Sequence, residues 1–378
     1  MSKILITTRY FYPKNTPRAH RAFELAKQFA RDGKSIVIIT RDYSKEHKEI
    51  TKHYGVEFHY TNKKQVDDCV SPREPKKKPS NIRRTLSNIL YYLLPEGKEF
   101  LFSLGLYKEL DNLSKYSDKY ILIFSNSFPF SVHIGTFLFL DKLLAKDGVS
   151  IAEMSDPYFY NHKPKAFYLK YMERYVLNKF DYISVPTDES RELYSDILNK
   201  DNVYTVPQGF EIKELKYDFR TRDNNCKRFI FAGRLYEQIR NPKEYLGFLS
   251  SLDIDFLFTM YVDMDNTETM DMINDYRKLL GSKLKVLNFI PRNELIIEMS
   301  KQDFLVNFEN VSGVQQPSKL IDYGISGRPI LNLSTSNVDY ENLVKFLNGD
   351  YSDALCIDIN KYKIENVTSK IYDLMRPS

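Results

Sequence analysis

QPSKLIDYGISGRP, residues 316–329, is the stretch that decides how this chain is interpreted. Proline suits the first position of a helix because its missing N–H has no intrahelical acceptor there. Ser318 and Lys319 then keep donors at the positive end of the helix, where anions bind. Asp322 follows one turn further in, near the same end. The pattern predicts a site for a diphosphate joined to a ribose, built by Pro317, Ser318, Lys319 and Asp322.

A second cationic segment lies upstream of this helix. Gly233 and Arg234 close an apolar run, and Arg240 follows six positions later, just before Asn241 and Pro242 open another helix. Guanidinium groups and helix N-termini stabilise the charge that grows on a departing diphosphate. Either arginine alone would be interpreted as a solvated surface residue. Together with Lys319 they favour phosphate binding.

At these residues the chain resembles the retaining glycosyltransferases of the GT-B fold, especially family 4, over nearly its whole length. Arg234 matches the arginine of the family's Gly-Arg pair, and Arg240 matches its second cation with one extra residue between them. Asp322 occupies the position of the second Glu of the family motif, because Gly327-Arg328-Pro329 follows at the family's distance. The first Glu is replaced by Val314.

The resemblance implies a fold, a reaction and a set of ligands. The fold is α/β, with two Rossmann-like doubly wound domains facing across a cleft. The reaction moves a hexose, with retention of configuration, from a nucleoside-diphosphate sugar to a glycan acceptor in surface polysaccharide biosynthesis. Its front-face route needs no protein nucleophile, and neither a cofactor nor a metal is expected. Gly313 and Val314 fall in the loop that lies under the donor sugar.

The composition agrees with a two-domain globular protein. The chain has 378 residues, of which 42% are hydrophobic and 28% charged, enough for two buried cores and unlike a disordered or membrane-spanning chain. Short runs rich in Ile, Val and Phe alternate with helical patterns, which is typical of parallel sheets. We predict an acceptor-binding domain at 1–210, joined by a helix from 361–378, and a donor-binding domain at 211–360.

Apolar runs and helical periodicity give the individual elements. Strands are predicted at Ile4–Thr8, Ser35–Thr40, Tyr120–Ser125, Val149–Met154, Tyr182–Pro186, Val203–Val206, Arg228–Ala232, Asp255–Met260, Lys285–Phe289, Phe304–Phe308, Pro329–Leu333 and Ala354–Ile359. Helices are predicted at Phe130–Lys146, Pro164–Lys179, Glu189–Leu198 and Ile364–Met375.

The loop after the first strand lacks the glycines that family members often have there. It contains Thr16, Pro17, Arg18 and Arg21 instead, so contacts from side chains are favoured over close approach of the backbone to a phosphate. We predict that these residues bind the acceptor. A solvated helix entry is the alternative.

A carboxylate follows the predicted strand Val149–Met154. Carboxylates at this end of a parallel strand point into the cleft, so Asp156 is the candidate on the catalytic side. Ser155 stands where related enzymes often present a His. Asp156 could equally cap the following turn.

A basic segment contains Lys76, Lys77, Lys78, Arg83 and Arg84 and leads into an apolar, aromatic one. This combination favours an anionic membrane surface, with a solvated loop as the alternative. Many family members act on polyprenyl-diphosphate-linked glycans, so a peripheral position on the inner face of the membrane is expected.

The chain has three cysteines, Cys69, Cys226 and Cys356, whose spacing is not that of metal ligands, so reduced thiols are favoured. No secretion signal is visible, and a cytoplasmic location is expected. Nucleic acid is not expected as a partner, because zinc-finger, basic-zipper and RNA-binding signatures are missing from the sequence. Two other functions stay open. One is a non-catalytic nucleotide-sugar-binding subunit, which the missing first Glu favours, and the other is a GT-B sugar-nucleotide epimerase.

Overall fold

A computed structural model describes residues 2–14, 16–65, 81–116, 118–154, 157–159, 164–198, 201–212, 226–237, 240–309, 319–334 and 338–376. Within these ranges the side chains of 63–65 and 81–83 are not described. The chain divides into two compact units, Met1–Glu211 with Lys361–Ser378, and Ile212–Asn360. The limits predicted from the sequence were 1–210 with 361–378, and 211–360.

The described part of the first unit contains a seven-stranded parallel sheet in the order β3-β2-β1-β4-β5-β6-β7. Its strands are β1 (Lys3–Thr8), β2 (Ser35–Tyr43), β3 (Glu57–Gln65), β4 (Tyr120–Asn126), β5 (Leu144–Glu153), β6 (Tyr182–Val185) and β7 (Val203–Thr205). The interior strand β1, which pairs with β2 and β4, buries Ile4, Leu5 and Ile6 completely. Leu5 belongs to the apolar cluster on one face of the sheet, and Ile4 and Ile6 belong to the cluster on the other. A strand buried on both faces explains the continuous apolar run in the sequence.

The described part of the second unit contains a five-stranded parallel sheet in the order β10-β9-β8-β11-β12. Its strands are β8 (Lys227–Ala232), β9 (Phe256–Val262), β10 (Leu284–Asn288), β11 (Phe304–Phe308) and β12 (Ile330–Leu333). Phe229, Phe258 and Phe304 stack on one face of the three central strands, with ring centres 4.6 and 4.7 Å apart. Aromatic side chains thus form the core of this sheet.

Helices connect the strands of both units. They are α1 (Pro17–Arg31), α2 (Glu46–Tyr54), α3 (Asn81–Leu93), α4 (Phe100–Ser114), α5 (Ser131–Phe137), α6 (Leu140–Leu143), α7 (Tyr168–Leu177), α8 (Asp188–Leu198), α9 (Lys243–Ser251), α10 (Thr267–Leu280), α11 (Arg292–Ser300), α12 (Lys319–Ser326), α13 (Tyr340–Leu347) and α14 (Ile364–Leu374). Short 3-10 helices occupy Gly97–Glu99, Gly281–Lys283 and Ile359–Tyr362. In the described ranges no helix is long and apolar enough to cross a bilayer.

The C-terminal helix α14 packs in the first unit. The Tyr372 hydroxyl donates to Asp32 at 2.8 Å, and its ring lies 5.6 Å from that of Phe29 on α1. Val367 and Ile371 are completely buried in the same core as β1. Residues from the end of the chain therefore complete the core of the first unit.

Two predicted elements were wrong, and one strand was missed. The predicted helix Phe130–Lys146 is two short helices, α5 and α6, followed by the start of β5, because Leu144 pairs with Tyr120 on β4. The predicted strand Ala354–Ile359 is not a strand, since its backbone joins β12 only through the bond from Leu355 N to Ile330 O. Strand β3 was missed because its edge position and polar residues give no apolar run.

Candidate functional site

Gly233 follows directly after strand β8 and turns the chain sharply. Its φ of +148° is a conformation that residues with side chains rarely adopt, and its N–H donates to Tyr261 O at 3.0 Å. A methyl group built at this position would meet Lys319 Cδ at 3.5 Å and Nζ at 3.9 Å. Glycine therefore leaves the space beside the Lys319 side chain open.

Lys319 is the first described residue of α12, and its ammonium group is buried. Nζ lies 4.9 Å from the centre of the Phe231 ring and has no hydrogen-bond partner among the described residues. Burial, followed by the positive charge of Arg240, lowers the pKa of Lys319 to about 7. A buried cation without an acceptor is unfavourable, and an anion bound here would relieve it.

Arg240 contributes the second cation. Burial lowers its pKa, its Nη1 donates to Arg234 O at 3.4 Å, and its Nε has no partner in the described part of the chain. The Asn241 side chain accepts from Lys243 N at 3.1 Å in the turn that precedes α9, whose N-cap is Pro242. The side chain of Arg234 is exposed. Gly233, Arg240 and Lys319 therefore meet at the carboxyl end of β8, with Arg234 on the same loop.

Tyr323 holds helix α12, which carries Lys319, against the sheet. Its buried hydroxyl accepts from Ala232 N at 2.9 Å and donates to Val306 O at 3.0 Å. These bonds tie α12 to the end of β8 and to the middle of β11. Tyr323 could not be predicted from a local pattern, because its bonds join residues 91 and 17 positions apart along the chain.

Asp322 pairs with an arginine that the sequence analysis also missed. Arg292, the first residue of α11, reaches Asp322 Oδ1 with Nε at 2.8 Å and Nη2 at 2.5 Å. Burial raises the pKa of Asp322, whose side chain is 19% exposed, and Arg292 lowers it. The Pro291-Arg292 pair after β10 could have indicated this site from the sequence, because it places a cation at the start of a helix. Arg292 orients the carboxylate that we predicted for the ribose.

Several predicted site residues lie outside the described residues: Gly313, Val314, Pro317, Ser318 and Asp156. The same is true of Lys76, Lys77 and Lys78 and of the side chain of Arg83. Their assignments stay predictions. Arg84 is described and exposed.

The predicted acceptor residues surround the start of α1 in the first unit. Thr16 caps this helix by accepting from Ala19 N at 3.3 Å, and Pro17 occupies its first position, exposed to solvent. Arg18 Nη1 lies 3.5 Å from Ser127 O, in the loop after β4. Arg18 and Pro17 are therefore accessible to a ligand at this end of the sheet.

Arg21 is different, because its side chain is only 4% exposed. It forms an ion pair with Glu153 and donates to Pro207 O at 2.7 Å and Val206 O at 3.1 Å. Burial raises the pKa of Glu153, and Arg21 lowers it. These contacts hold α1 to the ends of β5 and β7. Acceptor binding by Arg21 stays a prediction, and its observed contacts are structural.

A buried carboxylate lies beside the loop after β4. Glu96 accepts from Phe130 N at 2.6 Å and from Ser131 N at 3.3 Å, at the start of α5. Burial raises the pKa of Glu96 to about 7, although both backbone bonds and the charges of Arg9 and Lys165 oppose the shift. The sequence analysis did not single out this residue.

No protein-family model and no curated protein matches the chain. Solved structures match it over its full length at low sequence identity. A glycosyltransferase from Rickettsia africae has a TM-score of 0.61 and 12% identity, covering 99% of this chain and 97% of that one. TarM also has a TM-score of 0.61 and 12% identity, covering 100% and 99%.

The lipopolysaccharide outer core galactosyltransferase WaaB has a TM-score of 0.57 and 10% identity, covering 98% of this chain and 99% of that one. The fold is GT-B. The predicted fold class, with two Rossmann-like α/β domains, is therefore confirmed. At sequence identities of 10–12% the similarity to these structures shows the fold alone. The reaction has to be inferred from the residues described above.

Proposed function

We propose that this GT-B protein is a retaining glycosyltransferase that moves a hexose from a nucleoside-diphosphate sugar to a glycan acceptor. One observation carries the proposal: Lys319 and Arg240, two buried or half-buried cations without a counter-ion among the described residues, adjoin the open backbone of Gly233. A diphosphate supplies the negative charge that this arrangement lacks.

The chemistry follows from the leaving group. Breaking the bond between the sugar carbon and the diphosphate oxygen leaves negative charge on that oxygen, which Lys319 and Arg240 stabilise. In the front-face route the same oxygen accepts the acceptor's proton while the new glycosidic bond forms on the face that the leaving group vacates. These two cations neutralise the diphosphate in our proposal, and the reaction proceeds without a metal.

The nucleoside is bound by the neighbouring pair. Asp322, held by Nε and Nη2 of Arg292, accepts hydrogen bonds from ribose hydroxyls in this proposal. A solved structure of TarM contains UDP and a GlcNAc-glycerol, with a TM-score of 0.57 and 13% identity to this chain over 100% of both chains. This likeness supports a nucleotide-sugar donor and a glycan acceptor.

The acceptor is proposed to bind at the start of α1, through Arg18 and its neighbours. We further propose that it is a polyprenyl-diphosphate-linked glycan of a surface polysaccharide, and that the protein is cytoplasmic and peripheral on the inner face of the membrane. The basic segment with Lys76, Lys77 and Lys78 supports this placement by its charge.

The test is an assay of purified protein with a panel of uridine, guanosine and adenosine diphosphate sugars. Release of the nucleoside diphosphate, slow with water and faster with membrane-extracted lipid-linked glycans, is the expected result, and it should persist in EDTA. Conversion of the donor to an epimer without any acceptor would contradict transfer. Binding of a donor with neither hydrolysis nor transfer would indicate a non-catalytic subunit.

A further inference from the structure

The first unit exposes an unusual number of large apolar side chains on three helices. Phe167 at the start of α7 is 75% exposed, Tyr171 on α7 is 66% exposed, and Leu101 on α4 is 66% exposed. Leu86 and Ile89 on α3 are also more than half exposed. Within each helix these residues are three or four positions apart, so each helix presents one apolar stripe. Contiguous exposed apolar surface of this kind marks an interaction site.

Direct contacts join the stripe on α3 to the stripe on α7. Ala166 N donates to Tyr92 O at 2.9 Å, and the Tyr168 hydroxyl contacts Leu93 O. The start of α7 therefore lies against the end of α3.

Further contacts continue the surface from α7 to α4. Tyr175 on α7 packs edge-to-face on Phe137 at 6.0 Å, and Tyr107 on α4 packs on Phe139 at 4.9 Å. Leu138, between these two phenylalanines, is itself 51% exposed. We call the exposed apolar stripes of α3, α7 and α4 together the apolar band.

The exposed charged side chains on α3 and α7 are cations, whereas α4 carries both signs, with Lys108 exposed and Glu109 and Asp111 partly exposed. Arg84 on α3 and Lys170 and Arg174 on α7 are exposed, and the only carboxylate in the sequences of these two helices, Glu173, is buried. The Glu173 carboxylate accepts from Tyr158 N and Phe159 N, each at 3.0 Å, so it is turned inward. Cations beside exposed aromatic and aliphatic residues match an anionic lipid surface, with rings at the level of the headgroups.

We propose that the apolar band is the surface with which this protein docks on an anionic lipid bilayer, the residues of α4 and α7 entering the headgroup region. The proposal rests on the proposed function for its biological purpose, since a lipid-linked acceptor lies at such a surface. The sequence predicted a membrane contact only for the basic segment and the apolar residues that follow it. The proposal adds α4 and α7 to this contact. A second copy of the chain fits less well, because a symmetric contact would bring Lys170 and Arg174 near their own copies.

The experiment is co-sedimentation of the full-length protein with vesicles of phosphatidylcholine alone, or mixed with phosphatidylglycerol. Wild type should bind the mixed vesicles, and binding should weaken in high salt. The double variants Phe167→Ser/Tyr171→Ser and Leu101→Ser/Leu104→Ser should each lower partition by at least about tenfold, because they remove apolar area from the interface. Leu279→Ser, at a leucine 69% exposed on α10 of the other unit, is the matched control and should bind as wild type does.

Equal vesicle binding by wild type and both double variants would overturn the proposal, as would no binding by wild type. A self-association of wild type that both double variants abolish, without vesicle binding, would assign the apolar band to a second copy and would also overturn it. UDP binding, measured on the same proteins without vesicles, should be unchanged in every variant. Failure of wild type to bind any of UDP, GDP and ADP would contradict the proposed function and leave the docking result standing.

Discussion

Lys319 and Phe231 form a cation–π contact in which the lysine Nζ lies 4.9 Å from the ring centre. The contact places an ammonium group in an apolar setting behind Gly233, where burial lowers its pKa to about 7. A cation held in this way costs stability in the free protein and is useful once an anion is bound.

The first prediction concerns the stability cost of Lys319. Its folded pKa lies below its unfolded value of 10.5, so the unfolded state binds more protons between about pH 7 and 10.5, and stability rises with pH across this window. Lys319→Met should therefore stabilise the second unit by on the order of 2 kcal/mol at pH 6, and by less at pH 9.5. Urea unfolding at both pH values measures the difference.

Lys278→Met, at a lysine 82% exposed on α10, is the matched control and should change little at either pH. A Lys319→Met variant that is less stable than wild type at pH 6 would show that the ammonium group has a partner.

The second prediction concerns the turn at Gly233. Gly233→Ala should destabilise the second unit by about 1–3 kcal/mol, because a side chain is strained at a φ of +148°. Gly247→Ala is the control within helix α9, where the added methyl group makes an ordinary contact with Tyr276 at 3.6 Å. This control should be neutral or stabilising by about 0.5–1 kcal/mol. Thermal unfolding of both variants tests the contrast, and equal stability would refute the role of the turn.

The third prediction concerns the pair of Arg292 and Asp322. Removing the guanidinium in Arg292→Ala leaves the half-buried Asp322 carboxylate without its two hydrogen bonds, so its pKa should rise and its orientation should be lost. UDP affinity should fall about tenfold, while pyrophosphate, which has no ribose, should bind as it does to wild type. Isothermal titration with both ligands distinguishes a ribose contact from a phosphate contact.

The control for this pair is Arg277→Ala, at an exposed arginine on α10. If Arg292→Ala weakened UDP and pyrophosphate equally, Arg292 would belong with the phosphate-binding cations instead.

The fourth prediction concerns Glu96 in the first unit. Its folded pKa of about 7 exceeds its ordinary value of 4.5, so the folded state binds more protons between these values, and stability falls as pH rises from about 4.5 to 7. Glu96→Gln keeps an acceptor for Phe130 N without the charge. The free energy of unfolding of Glu96→Gln, relative to that of wild type, should rise by about 1–2 kcal/mol between pH 5 and pH 7.5.

Urea unfolding at the two pH values measures this gain. Glu192→Gln, at an exposed glutamate on α8, should behave as wild type does at both. A Glu96→Gln variant whose stability tracks that of wild type at both pH values would contradict a titration in this window.

The elements that sequence predicted well are those whose pattern is local. Continuous apolar runs mark strands buried on both faces, such as β1 and β11. Lys319 and Arg240 were found because a cation, a helix start and a turn recur within a few residues. Their burial could not be predicted, because it depends on contacts between β8, which carries Phe231, and α12, which carries Tyr323.

The elements that sequence did not predict depend on long-range pairing. Arg292 pairs with Asp322, 30 positions away in the sequence, and Arg21 pairs with Glu153, more than a hundred positions away. No local pattern therefore predicts either ion pair. The apolar run after Phe130 reads as one helix, and only the pairing of Leu144 with Tyr120 on β4 converts its end to strand. Tertiary contacts override the periodicity in each case.

The diphosphate site itself is tested by calorimetric titration of UDP, GDP and ADP into wild type, Arg240→Ala, Lys319→Met and the control Lys278→Met. We predict that wild type and the control bind at least one of the three, and that each site variant loses about 100-fold or more in affinity, because charged hydrogen bonds to the diphosphate are removed. Unchanged affinity in both site variants, or no binding by wild type, would contradict the diphosphate site on which the proposed function rests.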